Sequence, residues 1–159
     1  VKCPIDILVC NAGATTGYGG IASPENNKGT ITNVLMTNIA GPFFTTRAFL
    51  PQVLRSTTRK IVIISSLMGS QQHTSPNAHI YRASKAGANN LMRTLSNELC
   101  DKGIAVAAYH PGWVRTDMGG ANADLSAEDS ARALLDRFEE LTIENSGIFK
   151  NFNGETLQL

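Results

Sequence analysis

Tyr81 and Lys85 are the residues of this sequence whose types and spacing most directly suggest chemistry. They are four residues apart in a segment of helical periodicity, so both side chains lie on one face within a single turn. A phenol titrates near pH ~10 and exchanges protons at neutral pH only where a neighbouring cation favours its ionised form. Lys85 supplies that charge, and a hydroxyl such as Ser66 could hold a carbonyl oxygen beside the phenol. Together the three predict proton transfer to or from an oxygen during an oxidation or reduction.

An alternation of strand and helix patterns predicts the elements that position these groups. Short apolar runs rich in β-branched residues predict buried parallel strands over residues 5–10, 60–65, 104–109 and 148–152. Helical spacing predicts helices over residues 30–54, kinked at Pro42, and over residues 81–100, ended by Gly103. Ser126 is typical of the N-cap of a last helix. The sequence therefore predicts an open parallel α/β sheet.

Open parallel sheets bind ligands beyond the carboxyl ends of their strands, which directs attention to residues 11–13, 65–66 and 111–116. Each candidate also has a plain structural interpretation. A YxxxK pair is common by chance, and Ser65 and Ser66 could merely end a strand. Asn38 falls on an apolar helical stripe, where it could be a core side chain satisfied by backbone groups.

Other polar and aromatic residues give weaker signals. Trp113 and Met118 fit a substrate pocket about as well as ordinary packing. The histidines are interpreted as loop residues, His73 and His79, and a strand-end residue, His110, because no spacing among them resembles a metal site. We therefore predict no metal.

Composition limits the partners and the location. The chain has 159 residues and a mass of 17.0 kDa, which predicts one domain over residues 1–159. A formal charge of +1, with 17% charged residues, argues against nucleic-acid or acidic-membrane binding, and no apolar run approaches the ~20 residues of a membrane span. Cys3, Cys10 and Cys100 form no CxxC spacing and no N-glycosylation site is present, which predicts a reducing, cytoplasmic setting and cysteines acting as small buried hydrophobes.

Several motifs jointly resemble those of the short-chain dehydrogenase/reductase family. Asn11-Ala12-Gly13 resembles its NAG motif, residues 81–85 its YxxSK motif, and residues 111–116 its PGxVxT segment, while Asn38 and Ser66 match its catalytic Asn and Ser. The stretch 110–120, with Leu125-Ser126 and residues 146–149 and 153–155, is similar to the C-factor and Sniffer-like carbonyl reductase subgroup.

The resemblance implies a Rossmann-type, three-layer αβα fold of which this chain holds strands 4 to 7. It implies Tyr81 as the acid/base, Lys85 lowering the pKa of that phenol and holding the nicotinamide ribose, Ser66 orienting the substrate carbonyl, and Asn38 holding a relay water. It implies NAD or NADP as cofactor and a small carbonyl or alcohol as substrate, and allows a homo-oligomer. The implied cofactor-binding residues are Asn11, Ala12, Gly13, Tyr81, Lys85, Pro111, Gly112, Val114 and Thr116.

The sequence departs from the family pattern in two places. Residues 13–19 spell GxxxGxG, yet no helical stripe opens at Gly19 and no strand with an acidic end follows some ~20 residues later, so we do not interpret them as the phosphate-binding turn. The family's first βαβαβ half is thus absent from this sequence, and the strand over residues 5–10 is expected to be an exposed apolar edge. The loop from Ser66 to Tyr81 is longer than the family spacing, which leaves the choice between Ser65 and Ser66 open.

Two functions of different classes follow. The first is an NAD(P)-dependent oxidoreductase that moves a hydride between cofactor and substrate, with the protein supplying orientation and the proton. The second is a catalytically silent signalling or partner-binding half-domain that uses the exposed edge. Oxidation of a nicotinamide cofactor by simple carbonyl substrates would distinguish them.

Overall fold

The computed structural model describes residues 3–159, and its centre is a four-stranded parallel sheet. The strands lie in chain order, β1 (Ile7–Cys10), β2 (Lys60–Ile64), β3 (Ala105–His110) and β4 (Phe149–Asn151). The helices are α1 (Lys28–Leu35), α2 (Gly41–Arg55), α3 (His79–Leu99) and α4 (Ala127–Glu140). This confirms the predicted Rossmann-type α/β architecture, although β1 is shorter than the run over residues 5–10.

The sheet separates two apolar layers because its central strands are buried on both faces. In β2, Ile61 and Ile63 pack with α2 and α3, whereas Val62 and Ile64 pack with α4. This alternation follows from the two-residue period of a strand. On the α4 side, the ring of Tyr109 lies 5.4 Å from that of Phe138, and its hydroxyl donates to the Arg137 carbonyl at 3.0 Å. The result is a three-layer arrangement of helices, sheet and helix.

A π-helical turn, Met36–Ala40, joins α1 to α2. The sequence predicted one helix kinked at Pro42, but Pro42 is instead the second residue of α2. Proline has no N–H, so the α-helical bond to the carbonyl of Asn38, four residues earlier, cannot form. The Gly41 N–H instead donates to the Met36 carbonyl, five residues back. The widened turn is therefore the local consequence of Pro42, and Asn38 lies within it.

Two predicted helix ends are confirmed by their geometry. The Ser126 hydroxyl accepts from the Asp129 N–H at the start of α4. Gly103 ends the short 3-10 turn after α3 in the left-handed conformation, with φ +67°, which favours glycine.

The strand β1 lies at one edge of the sheet. Among the described strands, β1 pairs only with β2, and Val9 is 39% exposed, as expected for an open edge. Cys10 is buried, but Cys3 and Cys100 are exposed, so their predicted burial is wrong. Cys100 falls just beyond the buried stripe of α3, which ends at Leu99. Within residues 3–159, no helix combines the length and apolarity needed to span a membrane.

Candidate active site

A cavity of about 890 Å³ lies at the carboxyl ends of β1, β2 and β3. All nine predicted cofactor-binding residues line it, and so does Ser66. Asn38 does not line the cavity. The lining also includes residues that the sequence analysis did not assign to the site, among them Tyr18, His110, Trp113 and Met118. The parallel sheet thus brings together segments that are far apart in the chain.

Tyr81 projects from the first turn of α3 and is only 8% exposed. Burial raises the pKa of its phenol, while a hydrogen bond with Ser66 acts in the opposite direction and nearby Tyr18 raises it further. This net direction is opposite to the lowering that the family resemblance implies. The Lys85 ammonium lies 5.7 Å from the centre of the Tyr81 ring. The phenol therefore retains its proton at neutral pH in this structure.

Lys85 lies one turn after Tyr81 and is 4% exposed. Its Nζ donates to the carbonyl of Ile64, the last residue of β2, at 2.9 Å. Loss of water around the ammonium lowers the pKa of Lys85 to about 8. The cation is therefore fixed at the end of the sheet and is close to losing its proton near neutral pH.

The geometry separates the roles of the two serines that follow β2. The Ser66 hydroxyl accepts from the Met68 N–H at 3.2 Å, which caps a short 3-10 helix, Leu67–Gly69. The same hydroxyl lies near enough to the Tyr81 phenol to lower its pKa against the effect of burial. The Ser65 hydroxyl also lines the cavity, but it donates to the Lys85 carbonyl at 3.4 Å. Of the two, Ser66 is the hydroxyl beside the phenol.

Asn38 is 2% exposed and connects three segments of the chain. Its Oδ1 accepts from the Ala14 N–H at 2.8 Å, and its Nδ2 donates to the Ala14 carbonyl and to Ser84 Oγ, each at 2.8 Å. Both amide hydrogens are used in these bonds. The side chain therefore fixes the loop after β1 against α3, as the structural interpretation of Asn38 predicted.

The segment after β3 forms one wall of the cavity. Gly112 has φ +83°, and a Cβ there would stand 2.4 Å from Leu125 Cδ1, so both its conformation and its space favour glycine. Trp113 is half-exposed, and its indole donates to the Gly119 carbonyl at 2.8 Å. A bridge between Val114 and Leu125 closes the segment on itself. These bonds hold the wall in place without help from a bound ligand.

The GxxxGxG stretch over residues 13–19 forms part of a loop and does not open a helix. The next helix in the chain is α1, which begins at Lys28. This agrees with the interpretation that the stretch is not a phosphate-binding turn, since that turn needs a helix N-terminus directly after the glycines. Instead the loop brings Tyr18 to the cavity. No periodicity in the sequence around Tyr18 could have indicated this placement.

Fold and site together define a class of protein. Residues 3–127 match the family model described as short chain dehydrogenase, and the chain belongs to that family. Its similarity extends to the C-factor and Sniffer-like subgroup. It is 35% identical over 152 residues to the C-signal of Myxococcus xanthus, covering 95% of this chain and 90% of that protein.

Two solved structures have a similar fold. The carbonyl reductase Sniffer of D. melanogaster superposes with a TM-score of 0.92 at 28% identity, covering 98% of this chain and 67% of that one. The NADPH-bound carbonyl reductase from chicken fatty liver superposes with a TM-score of 0.87 at 30% identity, covering 99% of this chain and 67% of that one. The chain thus spans about two thirds of the length of each reductase.

Proposed function

We propose that this chain carries the catalytic part of an NAD(P)-dependent oxidoreductase that acts on a small carbonyl or alcohol substrate. The observation that carries the proposal is the convergence of Tyr81, Ser66 and Lys85 in one cavity at the end of the sheet. The NADPH named for the chicken carbonyl reductase supports a nicotinamide cofactor. The proposed cofactor is NAD or NADP. We treat residues 1–159 as one domain, located in the cytoplasm, which is able to form a homo-oligomer.

The cavity offers a suitable space for the cofactor beside Gly13. A Cβ on Gly13 would stand 3.6 Å from Lys85 Nζ and 3.8 Å from Asn38 Oδ1, so the missing side chain leaves room between a cation and an amide oxygen. A ring or sugar hydroxyl can approach the backbone there. Gly13, Lys85 and Tyr81 would hold the ribose side of the cofactor, and Pro111, Gly112, Val114 and Thr116 would hold its nicotinamide ring.

The protein's part in the reaction is to hold the substrate and to move one proton. A bound nicotinamide supplies the hydride that reaches the substrate carbon during reduction, or accepts it during oxidation. Ser66 donates a hydrogen bond to the substrate oxygen, and Tyr81 gives its phenolic proton to that oxygen, so ketone or aldehyde becomes alcohol. Because burial raises the pKa of Tyr81, the phenol is protonated at neutral pH, which favours reduction.

Lys85 and Asn38 would restore that proton. The lowered pKa of Lys85, about 8, makes its ammonium a ready donor toward a phenolate one turn away. Asn38 would hold the relay water through an atom other than its amide nitrogen, since both amide hydrogens are used. Its backbone carbonyl is suited to this, because Pro42 cannot donate to it.

The test is an assay of carbonyl reduction with a panel of aldehydes, ketones and quinones. The readout is the oxidation of NADPH or of NADH. Tyr81→Phe is expected to lower kcat at least about 100-fold, because the proton donor is removed. Tyr109→Phe is the matched control, since Tyr109 points into the α4 layer and its hydroxyl bonds only a helix carbonyl among the described residues. Full turnover by Tyr81→Phe would show that the acid/base assignment is wrong.

A signalling or partner-binding half-domain is the second candidate function. The open edge of β1 and the nearly equal length of the C-signal support it. It predicts no oxidation of either cofactor with any carbonyl of the panel by a correctly folded protein.

A further inference from the structure

His110 is a cavity-lining side chain that the proposed reaction does not use. It is the last residue of β3. Val106 and Ala108 of the same strand pack in the core formed with α3, while Tyr109 packs with α4. The two-residue period of the strand therefore places His110 on the α3 side of the sheet, the side that carries Lys85. His110 lines the same cavity as Tyr81 and Ser66.

The two ring nitrogens of His110 have different surroundings. Nδ1 is fully buried and has no hydrogen-bond partner among the described residues. Orphaned N–H groups are rarer in protein interiors than orphaned acceptors, so the proton of the neutral ring belongs on Nε2. Burial and the positive charge of Lys85 lower the pKa of His110 to about 4, which keeps the ring neutral at physiological pH. The imidazole thus has one N–H to offer, on Nε2, which makes no hydrogen bond among the described residues and, unlike Nδ1, is not fully buried.

The backbone at His110 is held by hydrogen bonds, which fixes the point from which the ring projects. The Phe152 N–H donates to the His110 carbonyl at 2.9 Å. One residue later, the Ser130 hydroxyl of α4 donates to the Pro111 carbonyl at 2.6 Å. A backbone ordered before a ligand arrives lowers the cost of ordering the site when the ligand binds.

We propose that His110 is a ligand-binding residue whose Nε2–H donates a hydrogen bond to an uncharged oxygen acceptor in the cavity. This inference rests on the proposed function, and the acceptor is either the carboxamide oxygen of the nicotinamide or an oxygen of the carbonyl substrate. A neutral donor is suited to either, because it adds no second positive charge beside Lys85.

Two substitutions distinguish a binding role from a packing role. His110→Phe keeps a flat ring of similar size and removes both nitrogens, whereas His110→Gln restores an N–H donor near the position of Nε2. Loss of one neutral hydrogen bond predicts binding about three- to tenfold weaker in His110→Phe and within about twofold of the parent in His110→Gln. If His110 only fills space, binding should be close to that of the parent in His110→Phe and weaker in His110→Gln. His73→Phe, in an exposed loop, is the matched control.

The probes separate the two acceptors. Reduced nicotinamide mononucleotide, titrated by its fluorescence without substrate, tests the carboxamide. The KM and kcat for a carbonyl substrate test the second acceptor, with KM expected to rise at constant kcat. A weakening in either measurement that His110→Gln reverses supports the proposal. Unchanged values in both measurements for a folded His110→Phe protein would overturn it.

A measurement on the unsubstituted protein covers the case in which His110→Phe does not fold. The 15N shifts of the His110 ring are expected to report the Nε2–H form, and the Nε2 signal is expected to move when reduced nicotinamide mononucleotide or the carbonyl substrate is added. An Nδ1–H ring, or a signal unmoved by both ligands when the protein binds them, overturns the inference. If the unsubstituted protein binds neither reduced nicotinamide mononucleotide nor the carbonyl substrate, the proposed function is wrong, and the ligand assignment of His110 is wrong with it.

Discussion

Gly69 lies directly against the backbone of Lys85. A Cβ on Gly69 would stand 2.7 Å from the Lys85 carbonyl carbon and 2.9 Å from its oxygen. These atoms belong to α3 and cannot move without moving the helix. The 3-10 helix that follows Ser66 is therefore in backbone contact with the helix that carries Tyr81 and Lys85, and this contact sets the distance between the serine hydroxyl and the phenol.

Gly69→Ala is accordingly expected to damage the site through this contact. The added methyl group pushes the 3-10 helix from α3, which costs about 1–3 kcal/mol of the free energy of unfolding. Because Ser66 moves with the helix, we expect kcat/KM for the carbonyl substrate to fall by roughly 100-fold, as misplacement by ~1 Å does. Denaturant unfolding and steady-state kinetics measure the two effects. Gly41→Ala, where a Cβ meets only the Met36 carbonyl at 3.6 Å, is the control, and equal behaviour of the two variants would contradict the prediction.

Gly13→Ala is expected to separate binding from stability. Its methyl group makes ordinary contacts, 3.6 Å from Lys85 Nζ and 3.8 Å from Asn38 Oδ1, so the free energy of unfolding should change by less than about 0.5 kcal/mol. The same methyl group fills the space proposed for the cofactor, so binding of reduced nicotinamide mononucleotide should fall at least about tenfold. Gly20→Ala, which meets nothing within 4 Å, should alter neither quantity. Undiminished binding by Gly13→Ala would refute the proposed cofactor position.

Lys85 should make stability depend on pH in the alkaline range. Its pKa is about 8 in the folded protein and 10.5 in its ordinary state, so between these values the unfolded chain binds more protons. The cost of burying the ammonium is fully present below pH 8 and is relieved as pH rises, so stability rises with pH through this window. Relative to Lys85→Met, the parent should gain roughly 2–3 kcal/mol of unfolding free energy between pH 8 and 10.

The comparison with Lys85→Met removes contributions from tyrosines that titrate at higher pH. Lys102→Met, at an exposed lysine, is the matched control and should show no such difference. A pH-independent difference between the parent and Lys85→Met in urea unfolding would mean that the buried ammonium carries no such cost.

Asn38→Leu should reveal how much of the role of Asn38 is structural. The substitution keeps the approximate shape but removes three hydrogen bonds and leaves the Ala14 N–H and carbonyl without their partner. A loss of about 2–4 kcal/mol in unfolding free energy is expected. Asn33→Leu, on the exposed side of α1, should cost no more than about 0.5 kcal/mol. Comparable stability of the two variants in thermal and urea unfolding would argue against a connecting role for Asn38.

Periodicity and turn chemistry predicted most of the fold, because each element is locally consistent with its environment. β2 is an apolar run buried on both faces, and Ser126 caps α4 as its type and position indicate. The π-helical turn, Met36–Ala40, was not predicted, since one residue of widening leaves the pattern of apolar positions nearly unchanged. Pro42 is the signal that could have indicated it.

The sequence indicated many of the residues that line the cavity but not the electrostatics of the cavity. Motif spacing identified the groups around Tyr81, whereas the direction of the phenol's pKa depends on how much water the folded chain excludes. The same holds for His110, whose strand-end position was evident but whose orientation and neutrality depend on the sheet and on Lys85. Tyr18 reaches the cavity through a loop whose path is fixed by the contact between Ala14 and Asn38, a tertiary interaction.

The pairing of β3 with β2 gives the parallel sheet a direct influence on which chemical group enters the cavity. In the observed register Ile64 lies opposite Tyr109, so Tyr109 faces α4 and His110 faces α3. A slip of one residue would exchange the two faces and direct a phenol into the cavity in place of the imidazole. The other residues of β3 are mostly alanine, whose small side chains fit either face of the sheet. The packing of the Tyr109 ring against Phe138 therefore holds β3 in the register that brings His110 to the cavity, although neither Tyr109 nor Phe138 lines that cavity.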